Sequence, residues 1–203
     1  MIVLDGIYYA LSLVAAGALV SWFANPWYAA PLWTLALFCL YFFRDPERAI
    51  PSGPVAVSPA DGKVVAVKPE GPVNRISIFL NVFDVHVNRT PIAGTITHVK
   101  YQPGQFLVAS KEACSSDNEQ NVVTVKGDGG STVVFKQIAG LIARRIQCYV
   151  QAGSVVEAGQ RIGLMKFGSR MDVFLGPEWE VLVKAGQRVT GGSGILARFK
   201  GAA

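Results

Sequence analysis

The sequence is poor in charge, in histidine and in patterned cysteine. Asp, Glu, Lys and Arg make up 16% of its 203 residues, against about 25% in ordinary soluble proteins. Hydrophobic residues make up 51%, and that balance points to a membrane-associated chain. Histidine occurs only at His86 and His98, so general bases are scarce. The cysteines, Cys39, Cys114 and Cys148, are far apart and odd in number. No C-x-x-C spacing indicates zinc, no metal is expected, and no disulfide framework is indicated. A reducing compartment is the simpler reading. No long Lys/Arg run and no aromatic RNA-binding motif is present, so nucleic acid is not an expected partner. The net charge of +5 suits an anionic membrane surface better.

From Gly6 to Phe43 there is no Asp, Glu, Lys or Arg. The run breaks at Asn25-Pro26. A helix over Ile7 to Ala24 would span about 27 Å, close to a hydrocarbon core of about 30 Å. A shorter segment, Tyr28 to Phe43, follows with Pro31 near its start. Trp22, Trp27, Tyr28 and Trp33 cluster around the break, where an interfacial aromatic belt would sit. The start "MIVLD" lacks a basic n-region, and no small-residue cleavage site follows, which argues against a signal peptide. Residues 1–43 are therefore expected to form an apolar helical hairpin that spans or dips into a membrane, with a pair of buried core helices as the alternative. Arg44 and Arg48 place the remainder on the cytoplasmic side of a cell membrane by the positive-inside tendency.

Residues 44–203 read as a β-rich domain. Runs rich in Val and Ile ("KVVAV", "RISIFLNVFDVHVN", "GTITHVKY", "NVVTVKG", "STVVFKQIAG", "RRIQCYV") alternate with Gly, Pro, Asp and Asn turns, as in an antiparallel sandwich or barrel-like fold. The polar stretch Lys111 to Asn121 reads as a loop. "VVEAGQRIG" from Val155 and "VLVKAGQRVTGG" from Val181 share an Ala-Gly-Gln-Arg core around Gly159 and Gly186, a grammar of short strands joined by glycine turns. This repeat resembles the lipoyl/biotinyl hybrid-motif sandwich. On that resemblance Met165-Lys166-Phe167 looks like a carrier hairpin, and the rival reading is a carrier or binding module modified on Lys166.

Within "LMKFGSRMDVFLG" (Leu164 to Gly176), Gly168-Ser169 interrupts two strand-like runs. A turn is one reading. The other is chemistry. A serine hydroxyl can attack the preceding carbonyl when the peptide is held bent, giving an ester; elimination and hydrolysis then leave a pyruvoyl group at a new N-terminus. This requires a small residue before the serine, a general base and donors that stabilise the oxyanion. The resulting ketone can bind an amine and withdraw electrons, which suits decarboxylation. His86 in "FDVHVNRTP", flanked by Asp84, Asn88 and Arg89, is the candidate base. Asp61 in "SPADGKVV" opens a strand, and His98 reads as a half-exposed strand residue.

Six stretches carry a resemblance: "YFFRDPER" (Tyr41–Arg48), "SPADGKV" (Ser58–Val64), "FLNVFDVHVNRTP" (Phe79–Pro91), "GTITHVKYQPGQF" (Gly94–Phe106), "QIAGLIARRI" (Gln137–Ile146) and "FGSRMDVFL" (Phe167–Leu175). In this order they resemble the short, bacterial/archaeal-like type of the phosphatidylserine decarboxylase family. The resemblance implies self-cleavage at Gly168-Ser169 into a large chain, 1–168, and a small chain, 169–203, that stay associated. It implies a covalent pyruvoyl cofactor made from Ser169, a Schiff base with the amine of phosphatidylserine, and release of phosphatidylethanolamine and CO2. His86 matches the family's decarboxylation histidine and Asp61 its processing aspartate. Longer members carry a second histidine where this chain has Arg89, which leaves the self-cleavage base open between His86 serving both steps and help from His98; the family also tends to carry an arginine where this chain has Gln120. Arg89, Arg144, Arg145 and Arg170 are the candidates for holding the substrate phosphate or carboxylate by paired hydrogen bonds, with Arg89 preferred.

Overall fold

A computed structural model of the chain describes residues 2–141, 145–166 and 168–201. The chain forms two compact units, Met1–Glu47 and Arg48–Ala203.

In the first unit, α1 (Leu4–Phe23) and α2 (Pro26–Phe42) pack against each other. Asn25 starts α2: its side-chain oxygen accepts the Trp27 N–H at 3.0 Å, and Pro26 occupies the first helical turn where no amide partner is needed. α1 begins earlier than the apolar run because Asp5 sits in its first turn, where a carboxylate suits the helix dipole. The helices approach closely at glycines. A β-carbon on Gly6 would collide with Phe43, and one on Gly17 with Trp33. Large apolar side chains face outward, among them Trp22, Phe23, Trp27 and Tyr28. Only α1, with 20 residues and a mean hydropathy of 1.6, is long and apolar enough to cross a bilayer among the described residues.

The second unit is antiparallel β-structure, its strands numbered in chain order. Its largest sheet has eight strands, with β13 (Arg188–Val189), β2 (Gly62–Glu70), β3 (Val73–Leu80), β11 (Ser169–Leu175), β7 (Thr132–Ile138), β6 (Gln120–Lys126), β5 (Gly94–Gln102) and β9 (Val155–Val156) as successive neighbours. Two three-stranded sheets accompany it: β4 (Val87–Arg89), β10 (Arg161–Met165) and β8 (Ile146–Cys148); and β1 (Val55–Val57), β14 (Ile195–Phe199) and β12 (Trp179–Val181). One face of the large sheet supplies Ile76, Ile78, Phe135, Met171 and Val173 to a core that also takes Ile162, Met165 and Leu196 from the small sheets. Apolar alternation along each strand buries one face in this way.

The expected mainly-β fold with an apolar helical pair is what the chain adopts. The repeat is visible as two matching turns. Glu157 and Lys184 donate their N–H groups to the side chains of Gln160 and Gln187, and Gly159 and Gly186 take φ of 72° and 94°. In that left-handed region glycine is favoured over any residue with a β-carbon. "RISIFLNVFDVHVN" is one difference: it is two strands in two sheets. Asn81 breaks it, its side chain accepting the Phe83 N–H at 2.8 Å while Asp84 accepts the Asn81 N–H at 2.9 Å. Such Asx turns compete with the strand ladder. The polar stretch from Lys111 is not all loop either, since Cys114–Asp117 forms the short helix α3 and β6 begins at Gln120.

Candidate active site

Gly168-Ser169 lies where the chain leaves one sheet for another. β10 pairs with β4 and β8, whereas β11 pairs with β3 and β7. The segment is therefore a crossing between sheets and not a hairpin turn. Gly168 takes φ of 70°, and open space surrounds the place a β-carbon would occupy. Backbone conformation, not crowding, calls for glycine here.

Three groups meet around Gly168. Gly168 donates its N–H to Nε2 of His86 at 3.3 Å. The other ring nitrogen, Nδ1, lies 2.9 Å from the Asp84 carbonyl oxygen, an arrangement that fits a proton on Nδ1 and a lone pair on Nε2. His86 is fully buried, so its orientation is fixed by these contacts. Gly140, just after β7, is the second group: a β-carbon on it would stand within 3.0 Å of the Gly168 carbonyl oxygen. The third is Ser169 itself. Its side chain is fully buried, and its hydroxyl has no hydrogen-bond partner among the described residues. A buried hydroxyl left unpaired costs about 1–3 kcal/mol, which marks this one as held for something other than stability.

The opposite face of β11 carries a buried network of charges. Arg170 donates from Nε to Asp172 at 2.7 Å, from Nη2 to Ser77 at 2.6 Å and from Nη1 to the Lys111 carbonyl at 3.3 Å. The second oxygen of Asp172 accepts from the Ser115 hydroxyl and lies 3.5 Å from Arg75. Arg75 in turn pairs with Glu70 at 2.9 Å and with Glu112. The hydrogen bond from Arg75 holds the Glu112 carboxyl below its ordinary range, and burial pushes the Cys114 thiol up and the Lys136 ammonium down. All of the Arg170 donors named above are engaged within the protein, and they tie β11 to Ser77 and to the segment at Lys111. Arg75, Ser77 and Ser115 were not singled out from sequence. Arg75 and Ser77 alternate along "RISIFL" as an ordinary solvent face would, and Ser115 falls in the polar stretch from Lys111.

The remaining expected residues are distributed as follows. Asp61 accepts from Arg48 at 2.9 Å and from the Gly191 N–H at 2.7 Å. Arg89 is buried and donates to the Gly159 carbonyl at 3.0 Å. Gly191 and Gly192 join the two: Gly191 bonds Asp61, and a β-carbon on Gly192 would touch Arg89 and Arg48. This second cluster is built from residues other than those that meet at Gly168. His98 is exposed on β5 opposite Thr124, and Arg145 is exposed. Arg144 and Phe167 lie outside the described residues. Lys166 is only 7% exposed, whereas a carrier lysine must reach solvent. Beside His86, a buried amide chain runs from Asn121 through Gln137 to Asn88, at 3.1 and 2.8 Å.

The sequence profile of the family described as phosphatidylserine decarboxylase matches residues 35–197 of the chain. A phosphatidylserine decarboxylase proenzyme of Solibacter usitatus is 72% identical over 97% of this chain and 96% of that protein. One from Magnetococcus marinus is 42% identical over 94% of this chain and 90% of its own length. One from Gluconacetobacter diazotrophicus is 46% identical over 91% and 87%.

Proposed function

The chain belongs to the phosphatidylserine decarboxylase family, and from that premise we propose that it is a proenzyme that cuts itself at Gly168-Ser169 and then converts phosphatidylserine to phosphatidylethanolamine and CO2. The observation that carries the reading is the buried, unpartnered Ser169 hydroxyl beside Gly168, whose N–H bonds His86 and whose carbonyl oxygen lies against Gly140.

In self-cleavage the Ser169 hydroxyl oxygen attacks the Gly168 carbonyl carbon. Its proton goes to a base, the carbon–nitrogen bond breaks, and Gly168 becomes an ester on Ser169. We assign the base to His86 Nε2, which takes the proton once its lone pair is released from the Gly168 N–H one peptide group upstream of the bond to be cut. Loss of the Ser169 α-proton then expels the Gly168 carboxylate. Hydrolysis of the residual dehydroalanine releases ammonia and leaves a pyruvoyl group on residue 169. The site fits that group: Ser169 is fully buried, and β11 is paired along both edges to β3 and β7, contacts that do not run through the Gly168–Ser169 bond. Once present, the group supplies an electron sink for loss of CO2 from an amine-bearing substrate. His86, left beside it, is placed to hold or return the proton that replaces CO2. Arg89 and Asp61 belong to the second cluster, and we assign them to holding the Gly191-Gly192 loop and Arg48 in place for processing.

The apolar α1 supports membrane association. Arg44 and Arg48, following the apolar segments, favour a catalytic unit on the cytoplasmic side of the inner membrane. The large chain, 1–168, and the small chain, 169–203, remain associated because β11 lies between β3 and β7. The test is conversion of phosphatidylserine in vesicles by purified wild-type chain. Phosphatidylethanolamine and an equal amount of CO2 are expected. Binding of the lipid without either product would overturn the reading.

A further inference from the structure

The second unit is built from two like halves. β2 pairs with β3 from Lys63↔Phe79 to Glu70↔Val73, with its register broken at Val64/Ala66. β5 pairs with β6 from Thr95↔Lys126 to Gln102↔Gln120, with the break at the equivalent Ile96/His98. The small sheet β4-β10-β8 repeats the order β1-β14-β12. The Val57 N–H donates to the Pro91 carbonyl and the Arg89 N–H to the Pro59 carbonyl, both at 2.8 Å, as a local two-fold axis requires. The halves meet where β11 pairs with β7. Matching the ladder of β11 on β3 to that of β7 on β6 sets Ser169 on Ser131 and Gly168 on Gly130. Both glycines take positive φ, 70° and 80°.

The fold thus holds two equivalent Gly-Ser peptides, and the half with Gly130-Ser131 shows what the architecture alone requires. There the places equivalent to Asn88 and Gln137 are taken by Ala56 and Leu175, both fully buried, and the place of His86 by Pro54. In the other half, Asn121 donates to Gln137 at 3.1 Å, and Gln137 Nε2 donates to Asn88 Oδ1 at 2.8 Å. These three amides are 4% exposed or less. Asn88, its oxygen taken, is left with an Nδ2 group that has no partner among the described residues. A buried amide chain with an unpaired end costs stability where apolar residues would serve.

Its placement gives the chain a use. His86 and Asn88 are two residues apart, about 7 Å along an extended backbone. His86 reaches Gly168, and Asn88 reaches Gln137 on β7. Gln137 is the ladder partner of Met171, which shares a face of β11 with Ser169. We propose that Asn88 and Gln137 are positioning residues for self-cleavage. The bond between them locks the segment that carries His86 against the strand beside β11. The imidazole then stays within reach of Ser169 when it leaves the Gly168 N–H. The inference rests on the proposed cleavage at Gly168-Ser169 and deepens it. Gly130-Ser131, with a like backbone but neither the histidine nor the amide chain, stays whole.

The test uses the full-length chain. Asn88→Ala/Gln137→Leu gives the self-cleaving half the residues of the other half. Self-cleavage, followed on denaturing gels, should slow by about tenfold to a hundredfold. In a Ser169→Ala/His98→Gln background the chain stays whole and His86 is its one imidazole, so nitrogen-15 NMR reads that ring directly. The single tautomer with the proton on Nδ1 should give way to a mixture, while the thermal midpoint moves by less than about 5 °C. Gln137→Met, which removes the hydrogen bonds of this side chain at similar volume, is read in the same way and decides the matter if the double variant does not fold. A wild-type cleavage rate overturns the positioning role, and so does slowed cleavage with an unchanged His86 ring. A larger fall in the thermal midpoint in both variants assigns the chain to stability and overturns it too. A cut at Gly130-Ser131 overturns the comparison of the halves. A wild-type chain that is not cut at all overturns the self-cleavage reading and the positioning role with it.

Discussion

Gly140 sits so close to the carbonyl oxygen of Gly168 that a β-carbon on it would fall within 3.0 Å of that oxygen. The obstacle is backbone, not the tip of a flexible side chain, so a larger residue must displace the peptide that is to be cut. Gly140→Ala should therefore slow self-cleavage by about a hundredfold, the cost expected when a reacting group is misplaced by about 1 Å. Following uncut precursor with time on denaturing gels checks this. A wild-type rate in a folded variant would remove Gly140 from the account.

The His86 Nε2 lone pair holds the Gly168 N–H in this structure and is the one proposed to act as base once that bond is released. Two substitutions separate these roles. His86→Ala removes both, and His86→Gln keeps an acceptor for the N–H but no useful base. Each should slow self-cleavage by about 10²–10⁴. Near-normal cleavage in the glutamine variant would reduce His86 to a positioning residue.

Asp172 is the anion between Arg170 and Arg75, whose side chains are 1% and 4% exposed. Asp172→Asn leaves two buried guanidinium groups without their shared counter-charge, at a cost of about 3–5 kcal/mol. In a Ser169→Ala background, which keeps the chain in one piece, the thermal midpoint should drop by about 10 °C. A change of less than about 2 °C would show that the network does not hold β11.

The hydrogen bond from Arg75 depresses the Glu112 carboxyl below its ordinary value of 4.5. A depressed carboxyl pKa adds stability that is fully present above the unfolded value and fades as pH falls through the folded one. Glu112 is half exposed, so the effect is small and screened by salt. Glu112→Gln should lower the thermal midpoint at neutral pH and leave it nearly unchanged at pH below about 3. An equal loss at both pH values would contradict the ion pair.

Much of the fold was legible in the sequence because its signals are local. Asn25-Pro26 caps a helix, and the two Ala-Gly-Gln-Arg units make matching turns around Gly159 and Gly186. Gly168, Ser169 and His86 were likewise readable, and the fold brings them together. What was not legible depends on the layer that covers each strand. Arg75, Ser77, Arg170 and Asp172 alternate with apolar residues as a solvated face would, yet the segment around Ser115 buries them. Gly140 carries no signal either, because its role is to let another backbone approach from a different strand. The break at Asn81 was hidden inside an apolar run, and it turns the chain so that His86, just before β4, reaches Gly168.

Intact-mass spectrometry of the purified wild-type chain tests the central claim most directly. The account predicts two polypeptides, residues 1–168 ending in an ordinary carboxylate and a small chain 169–203 that begins with a pyruvoyl group, with Ser169→Ala remaining whole. A single full-length mass in material that forms phosphatidylethanolamine, or a small chain that still starts with a serine amine, would contradict it.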